Sequence, residues 1–562
     1  MQKPSALVAV PILIVAVAML EAGSEATLAK KAMVISASGI ASEIGLDVIK
    51  EGGNAIDAAV ATAFALAVTH PVAGNIGGGG FLVYRSSSGE ATAYDFRETA
   101  PAGSSQTMFL KDGRYDAAVH HNGYRSAGVP GTVAGLHLAW SSHGRLPWNR
   151  LVEPAIRLAR DGFVISMGLA RSLAGALDSM RPYPASVAQF SKNGVPYAAG
   201  DVLRQPDLAT TLVRIANQGA AGFYEGETAL LIERAMKAHG GLITRADLQT
   251  YRAKRRPPLR GTYRGYEIIA MPPPSSGGAT LIQMLNVLEG YDLRSHGYGS
   301  AQNIHLIVEV MRRAYADRAQ HLGDPDFNSL MPIERLISKE YATEQRQTID
   351  SNRASKSSPA SFSWPPTGAE TTHFSIVDNE RNAVAMTYTL EYGYGARIVV
   401  PGAGFLLNNE MGDFNAGPGL TTAEGLIGTP PNLAAPGKRM LSSMTPTIVT
   451  TDGKLFMLTG SPGGRTIINT VVLTILNVID FEMNAQEAVD AGRFHHQWLP
   501  DRLAYERFAL SPDTVALLRA KGHDLRESGS QGVAEVIVYN PADDVLEGAV
   551  DRRQVDGAAA VW

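Results

Sequence analysis

The chain has 562 residues, 45% hydrophobic and 19% charged, the proportions of a globular protein with a large core and length for roughly three to four domains. Fifty Lys+Arg against 54 Asp+Glu leave a net charge of −4, without the basic excess that binding a phosphate backbone demands. Cysteine is absent, which excludes disulfide frameworks, thiolate metal sites and cysteine nucleophiles together and leaves Ser, Thr, Lys or a carboxylate for covalent chemistry.

In chain order, Lys3 is followed by an unbroken apolar run from Ala6 to Leu20. This run is shorter than the roughly 20 residues that cross a bilayer. It suits the core of a secretory signal peptide, with Ala22-Gly23-Ser24 as the cleavage site and residues 1–24 removed. An uncleaved anchor or a buried helix is the alternative. No later segment approaches membrane length, so the expectation is an exported protein, periplasmic or extracellular, with no stable membrane span.

Residues 39–69 predict two helices parted by Glu51-Gly52-Gly53-Asn54. Gly77-Gly78-Gly79-Gly80 marks a tight backbone turn before strands at 81–85 and 91–97, without the spacing of a dinucleotide fingerprint. Residues 129–345 read as mostly helical, interrupted by a strand at 265–271 and by Pro272-Pro273-Pro274. The cluster Arg252, Lys254, Arg255, Arg256, Arg260 predicts a solvated face. Residues 350–370, rich in Ser and Pro, predict a mobile loop. Thr371–Asp378 and Ala383–Leu390 then alternate as two strands around Asn379-Glu380-Arg381-Asn382, a hairpin. Further strands are expected near 396–407, 446–450 and 455–459. Helices first and strands later predict an α+β fold in layers.

Several chemistries are missing. The chain carries no H-E-x-x-H, no phosphate-binding P-loop and no G-x-S-x-G. Its thirteen histidines are scattered, and His495-His496 reads as structural. No metal and no cofactor are expected. What stands out is Glu370-Thr371-Thr372-His373, where the loop meets a strand. A Thr hydroxyl needs a base, and a free α-amino group on the same residue can serve if the chain is cut before it. By itself the pair also fits an ordinary strand start.

Its company decides. TTHFSIVD at 371–378, DFRETAP at 95–101, GGNAIDAAVATAFAL at 52–66, LLNNEMGDF at 406–414, KRMLSSMTPTIV at 438–449, TGSPGG at 459–464 and RFHHQWLP at 493–500 resemble the γ-glutamyltransferase (glutathione hydrolase) family of N-terminal-nucleophile hydrolases, in order and at compatible spacings. The resemblance runs from about residue 32 to the C-terminus. It implies a four-layer αββα sandwich, built jointly by a large chain, 25–370, and a small chain, 371–562, which self-cleavage at Glu370–Thr371 would leave as a heterodimer. It also implies that Thr371 attacks the γ-carbonyl of glutathione or a related γ-glutamyl compound, forming an acyl-enzyme. Water, an amino acid or a dipeptide would then take the acyl group.

Thr389 would orient the nucleophile, and Gly463 and Gly464 would hold the oxyanion. Arg97, helped by Ser442 and Ser443, would grip the substrate's α-carboxylate; from the residues alone Arg97 could equally be a structural partner of Glu98 or Asp95. Glu410 and Asp413, otherwise readable as surface carboxylates, match positions that bind the α-ammonium. One position departs from the family, which often has Asn where this chain has Glu391. Three carboxylates facing one ammonium require another cation, for which Arg397 is the candidate, or a raised pKa. Glu391 is expected to bind the α-amino group and to shift the balance between hydrolysis and transfer. Residues 417–432 resemble a lid loop of some members. The rival readings are a glutaryl-type β-lactam acylase, whose substrate lacks the ammonium, and an export-compartment binding protein that never cuts.

Overall fold

The computed structural model describes residues 24–358, 370–426 and 428–562. The expected signal peptide and most of the expected mobile loop lie outside the described residues. Fourteen strands form two antiparallel sheets: β1 (Thr27–Ala29), β2 (Met33–Ser36), β3 (Gly79–Arg85), β4 (Ala91–Phe96), β5 (Lys254–Arg256), β6 (Leu259–Tyr263), β7 (Tyr266–Ala270), β8 (Glu370–Val377), β9 (Ala383–Glu391), β10 (Thr447–Thr451), β11 (Lys454–Gly460), β12 (Glu535–Asn540), β13 (Val545–Val550) and β14 (Ala558–Val561). One sheet runs β14-β2-β8-β9-β3-β4-β5, the other β1-β13-β12-β11-β10-β7-β6.

Alternation along each strand sorts side chains into layers. On β8 and β9, Phe374, Ile376, Val384, Met386 and Tyr388 join the core under helices α1 (Gly39–Lys50), α2 (Ala55–Thr69), α3 (Thr132–His143) and α4 (Trp148–Asp161). Val377, Ala383 and Ala385 point the other way, meeting Ile448, Leu458 and Ile537 of the second sheet. The outer face of that sheet packs on α5 (Gly277–Leu288), α6 (Ala301–His321) and α7 (Thr466–Ile479). Helix layer, sheet, sheet, helix layer: the architecture is the αββα sandwich.

Two local devices position the strand that matters. Asn54 caps α2 by accepting from the Ile56 and Asp57 amides at 3.0 Å, and Asp57 returns the bond to the Asn54 amide, a capping box. Every residue of α2 is buried, as befits a helix apolar on all sides. The β8–β9 turn is held by Asp378, whose Oδ1 accepts from the Glu380 and Asn382 amides and whose Oδ2 accepts from the Ala55 amide at 2.9 Å. The hairpin is thereby pinned to the start of α2.

Three expectations are corrected. Lys254–Arg256 is an edge strand on β4 rather than only a solvated face, because Arg256 reaches the buried Asp95 at 2.7 Å. Leu259–Tyr263 is a second unforeseen strand, paired with β7. Residues 396–407 form no strand, only an isolated Val399–Leu406 bridge; Ile398 and Val400 are apolar because they pack into the helical layer.

Candidate active site

Thr371 and Thr389 are directly opposite each other on β8 and β9, both on the face turned to the second sheet. The Thr371 hydroxyl donates to Thr389 Oγ1 at 3.2 Å, and the Glu391 amide donates to the same oxygen at 2.9 Å. Both Thr residues are buried but line a narrow cleft. The cleft gathers Arg97, Glu391, Glu410, Asp413, Ser442, Ser443 and Gly464 around Thr371. Gly463 is not among its lining residues; it lies one step behind, at φ +127°, where a Cβ would meet Thr466 Oγ1. Gly464 has φ +54° and precedes α7. Amides here stand at the positive end of a helix dipole, suited to a developing negative charge.

Arg97 is wholly buried just after β4. Its Nη1 lies 2.6 Å from Glu410 Oε2 and 3.6 Å from Glu98 Oε2, and its Nη2 is paired with Asp413. Its expected structural partner Asp95 is instead held by Arg256 and Arg439. Glu410 and Asp413 occupy a short 3-10 turn, Glu410–Asp413, that aims them at the guanidinium rather than at the surface. Burial opposes the Arg97 charge, but Glu410, Asp413 and Glu98 overcome it and raise its pKa. Burial pushes Glu98, Glu391 and Glu410 up, reinforced by repulsion from Asp413 and, for Glu391 and Glu410, from Glu98.

Glu391 meets a residue the sequence did not single out. Its Oε1 lies 3.0 Å from His121 Nδ1, and the His121 ring stacks on Tyr392. Burial holds His121 near pKa 4, so it is neutral at ordinary pH. Arg397, the expected partner, lies over the Tyr392 ring and contributes only at a distance to Glu391. Arg318 and Arg465 were also missed. Arg318 Nη2 donates to Ser443 Oγ at 2.9 Å and its Nε to Ser276 Oγ at 2.5 Å, fixing the serine pair. Arg465 lines the cleft directly after Gly464. Burial lowers these two guanidiniums to about 10 and about 9, which leaves both cationic at neutral pH. Asn415 and Asn432 are joined at 3.3 Å, closing the base of the 417–432 loop beside the cleft.

Among the described residues one other cluster offers metal-ligand types, His305, Glu309 and His523. Glu309 is already spent on Arg312, Arg313 and the Ser355 amide, and the adjoining guanidiniums oppose a further cation. His495 and His496 are buried and hydrogen-bonded to Gln497 and Asp501.

The profile of the Gamma-glutamyltranspeptidase family matches residues 41–561. The chain belongs to this family. A glutathione hydrolase proenzyme of Escherichia coli (strain K12) is 47% identical over 537 residues, 95% of this chain and 92% of the relative. A cephalosporin acylase from Bacillus halodurans superposes with a TM-score of 0.84 at 26% identity, covering 100% of this chain and 99% of its own. Helicobacter pylori gamma-glutamyltranspeptidase gives 0.57 at 48% identity, covering 59% of this chain and 94% of its own. For a chain of the gamma-glutamyltranspeptidase family, the expected substrate-facing residues converge on one cleft beside one hydroxyl. No helix among the described residues is long and apolar enough to cross a membrane.

Proposed function

We propose that the chain is an exported precursor that cuts itself between Glu370 and Thr371, giving a large chain of residues 25–370 and a small chain of 371–562. The resulting heterodimer hydrolyses and transfers γ-glutamyl groups from glutathione and related amides. The observation that carries this reading is the charge pattern beside Thr371. One fork-shaped cation, Arg97, is flanked by Glu410, Asp413 and Glu391, complementary to an amino-acid head that bears a carboxylate and an ammonium together. A glutaryl group brings the same single carboxylate without the ammonium, so these acids would be left without a counter-charge. That argues against the acylase reading despite the close backbone match to a cephalosporin acylase.

In turnover the freed α-amino group of Thr371 takes the hydroxyl proton, Thr389 aligns the oxygen, and attack on the γ-carbonyl places the oxyanion on the Gly463 and Gly464 amides. The leaving amine departs with that proton, and water or an acceptor amine releases the acyl group. Arg97 exchanges part of its carboxylate company for the substrate α-carboxylate, with Ser442 and Ser443 as added donors, and the displaced acids turn to the α-ammonium. Intact mass and a denaturing gel of wild type beside Thr371→Ala test the reading. Two fragments, the smaller starting at Thr371, are expected in wild type, with one uncut inactive chain in the variant. An uncut wild type, or cleaved enzyme that prefers a glutaryl amide over glutathione, would overturn it.

A further inference from the structure

Self-cleavage faces a difficulty that turnover does not. In the uncut chain the Thr371 nitrogen is an amide, so the base that serves later is absent. Another group must take the hydroxyl proton and supply one to the departing nitrogen.

The strand register points to that group. Glu370 stands opposite Glu391 and Thr371 opposite Thr389, so Leu390 is an extra, unpaired residue and β9 bulges directly across from the peptide bond to be cut. Across from it Glu391 has φ +79°, a left-handed conformation that costs a residue with a side chain and recurs at functional sites. That twist aims the Glu391 amide at Thr389 Oγ1, the oxygen that accepts from Thr371. The Glu391 carboxyl is 95% buried, and it lines the same cleft as Thr371. His121 holds Oε1, while Oε2 is buried with no hydrogen-bond partner among the described residues. Gly412 packs so closely that a Cβ there would lie 2.5 Å from Oε1 and 2.6 Å from Oε2.

We propose that Glu391 is the proton carrier of self-cleavage, accepting the Thr371 hydroxyl proton and delivering one to the Thr371 nitrogen as the Glu370–Thr371 bond breaks. The proposal rests on the self-processing reading above. The Thr371 Oγ–carbonyl bond forms, the carbonyl–nitrogen bond breaks, one proton leaves Oγ and one reaches nitrogen. Glu391 ends protonated as it began. One water then hydrolyses the ester, its hydroxide going to the Glu370 carbonyl and its proton to Oγ. A neutral carboxyl suits this because it carries a donor and an acceptor on one group; a side-chain amide cannot release a proton in the same way.

The surroundings keep that carboxyl neutral. Burial disfavours its charge most, and Asp413, Glu410 and Glu98 add repulsion. Arg97 and Arg397 oppose them, and Tyr115 and the neutral His121 complete the ring of titratable neighbours. As pH rises through the Glu391 pKa the acid is lost and the cut slows.

The test follows cleavage of newly made full-length precursor on denaturing gels across a pH series. Glu391→Gln is expected to slow the cut about 10²-fold and to abolish the decline at high pH, whereas Glu391→Asp keeps that decline at an intermediate rate. Unfolding temperatures, measured in the uncut Thr371→Ala background with and without Glu391→Gln, check that the site is folded. Cutting by Glu391→Gln at the wild-type rate and pH profile overturns the proposal and leaves the self-processing reading standing. If Glu391→Gln is destabilised, Glu391→Asp decides: a retained decline supports the proposal, a flat profile overturns it. A wild type that never cuts overturns both.

Discussion

Two buried clusters of Arg and acidic residues in this molecule look alike in composition and differ in balance. Behind α6, Arg312 and Arg313 face Glu309 and Asp501, and each carboxylate is filled: Glu309 by Arg312 at 3.2 Å, Arg313 at 2.7 Å and the Ser355 amide at 3.1 Å, Asp501 by Arg312, His496 and the Ser357 amide. In the cleft Arg97 faces Glu98, Glu410, Asp413 and, further off, Glu391, with Arg318 and Arg465 also in the lining. Six buried atoms there, Arg97 Nη1, both oxygens of Glu98 and of Glu410, and Glu391 Oε2, lack a well-directed hydrogen bond among the described residues. The first cluster is complete without anything else. The second leaves carboxylate oxygens around Arg97 unfilled, a state that an incoming head with its own ammonium and carboxylate relieves. Electrostatic incompleteness, rather than burial or charge count, distinguishes a site from a strut.

Removing one cation from each cluster separates the two. Arg97→Met is expected to lower kcat/KM on glutathione by at least about 10³-fold while costing less stability than the matching change in the other cluster, since burial pushes Glu98 and Glu410 toward their neutral forms. Arg312→Met is expected to do the reverse, costing about 3–5 kcal/mol of unfolding free energy with kcat/KM of the folded enzyme within about threefold of wild type. Equal destabilisation by both substitutions would break the comparison.

The clusters also differ in the sign of their pH dependence. Glu309 is held at about 2 against an ordinary 4.5, burial opposing but Arg312, Ser355 and Arg313 prevailing. Its stabilisation is present above pH 4.5 and is lost as pH falls toward 2, about 3 kcal/mol in all. Acid unfolding of wild type against Glu309→Gln measures it: the variant starts less stable and loses less. The smallest effect concerns the cleft. Glu391→Asn is expected to change the ratio of hydrolysis to transfer a few-fold, read as glutamate against γ-glutamyl dipeptide formed; an unchanged ratio removes Glu391 from acceptor control.

The hairpin was legible because Thr371–Asp378 and Ala383–Leu390 alternate and the turn residues are polar, whereas the place of Thr389 beside Thr371 came from the resemblance. The αββα layering came from resemblance; mixed helices and strands alone do not choose it. Lys254–Arg256 escaped because edge strands tolerate charge, and the pairing that makes it a strand depends on Asp95, far away in sequence. His121, Arg318 and Arg465 carried no local signal. A His in a His-His pair, an Arg on a helix and an Arg after two glycines become site residues only when separate segments meet.

The strand order has a consequence for how long such an enzyme lasts. Strands before Glu370 and after it alternate across the first sheet at β14/β2, β2/β8 and β9/β3, and across the second at β1/β13 and β10/β7. A cut at Glu370–Thr371 therefore leaves two chains laced through five hydrogen-bonded seams, which part only if both sheets come undone. The intact precursor reaches this arrangement as a single-molecule event. Once cut, any molecule that unfolds must find a partner again, a second-order search that becomes hopeless on dilution. A severed bond there would thus act as a ratchet: it would leave the native structure in place and remove the route by which that structure was first made.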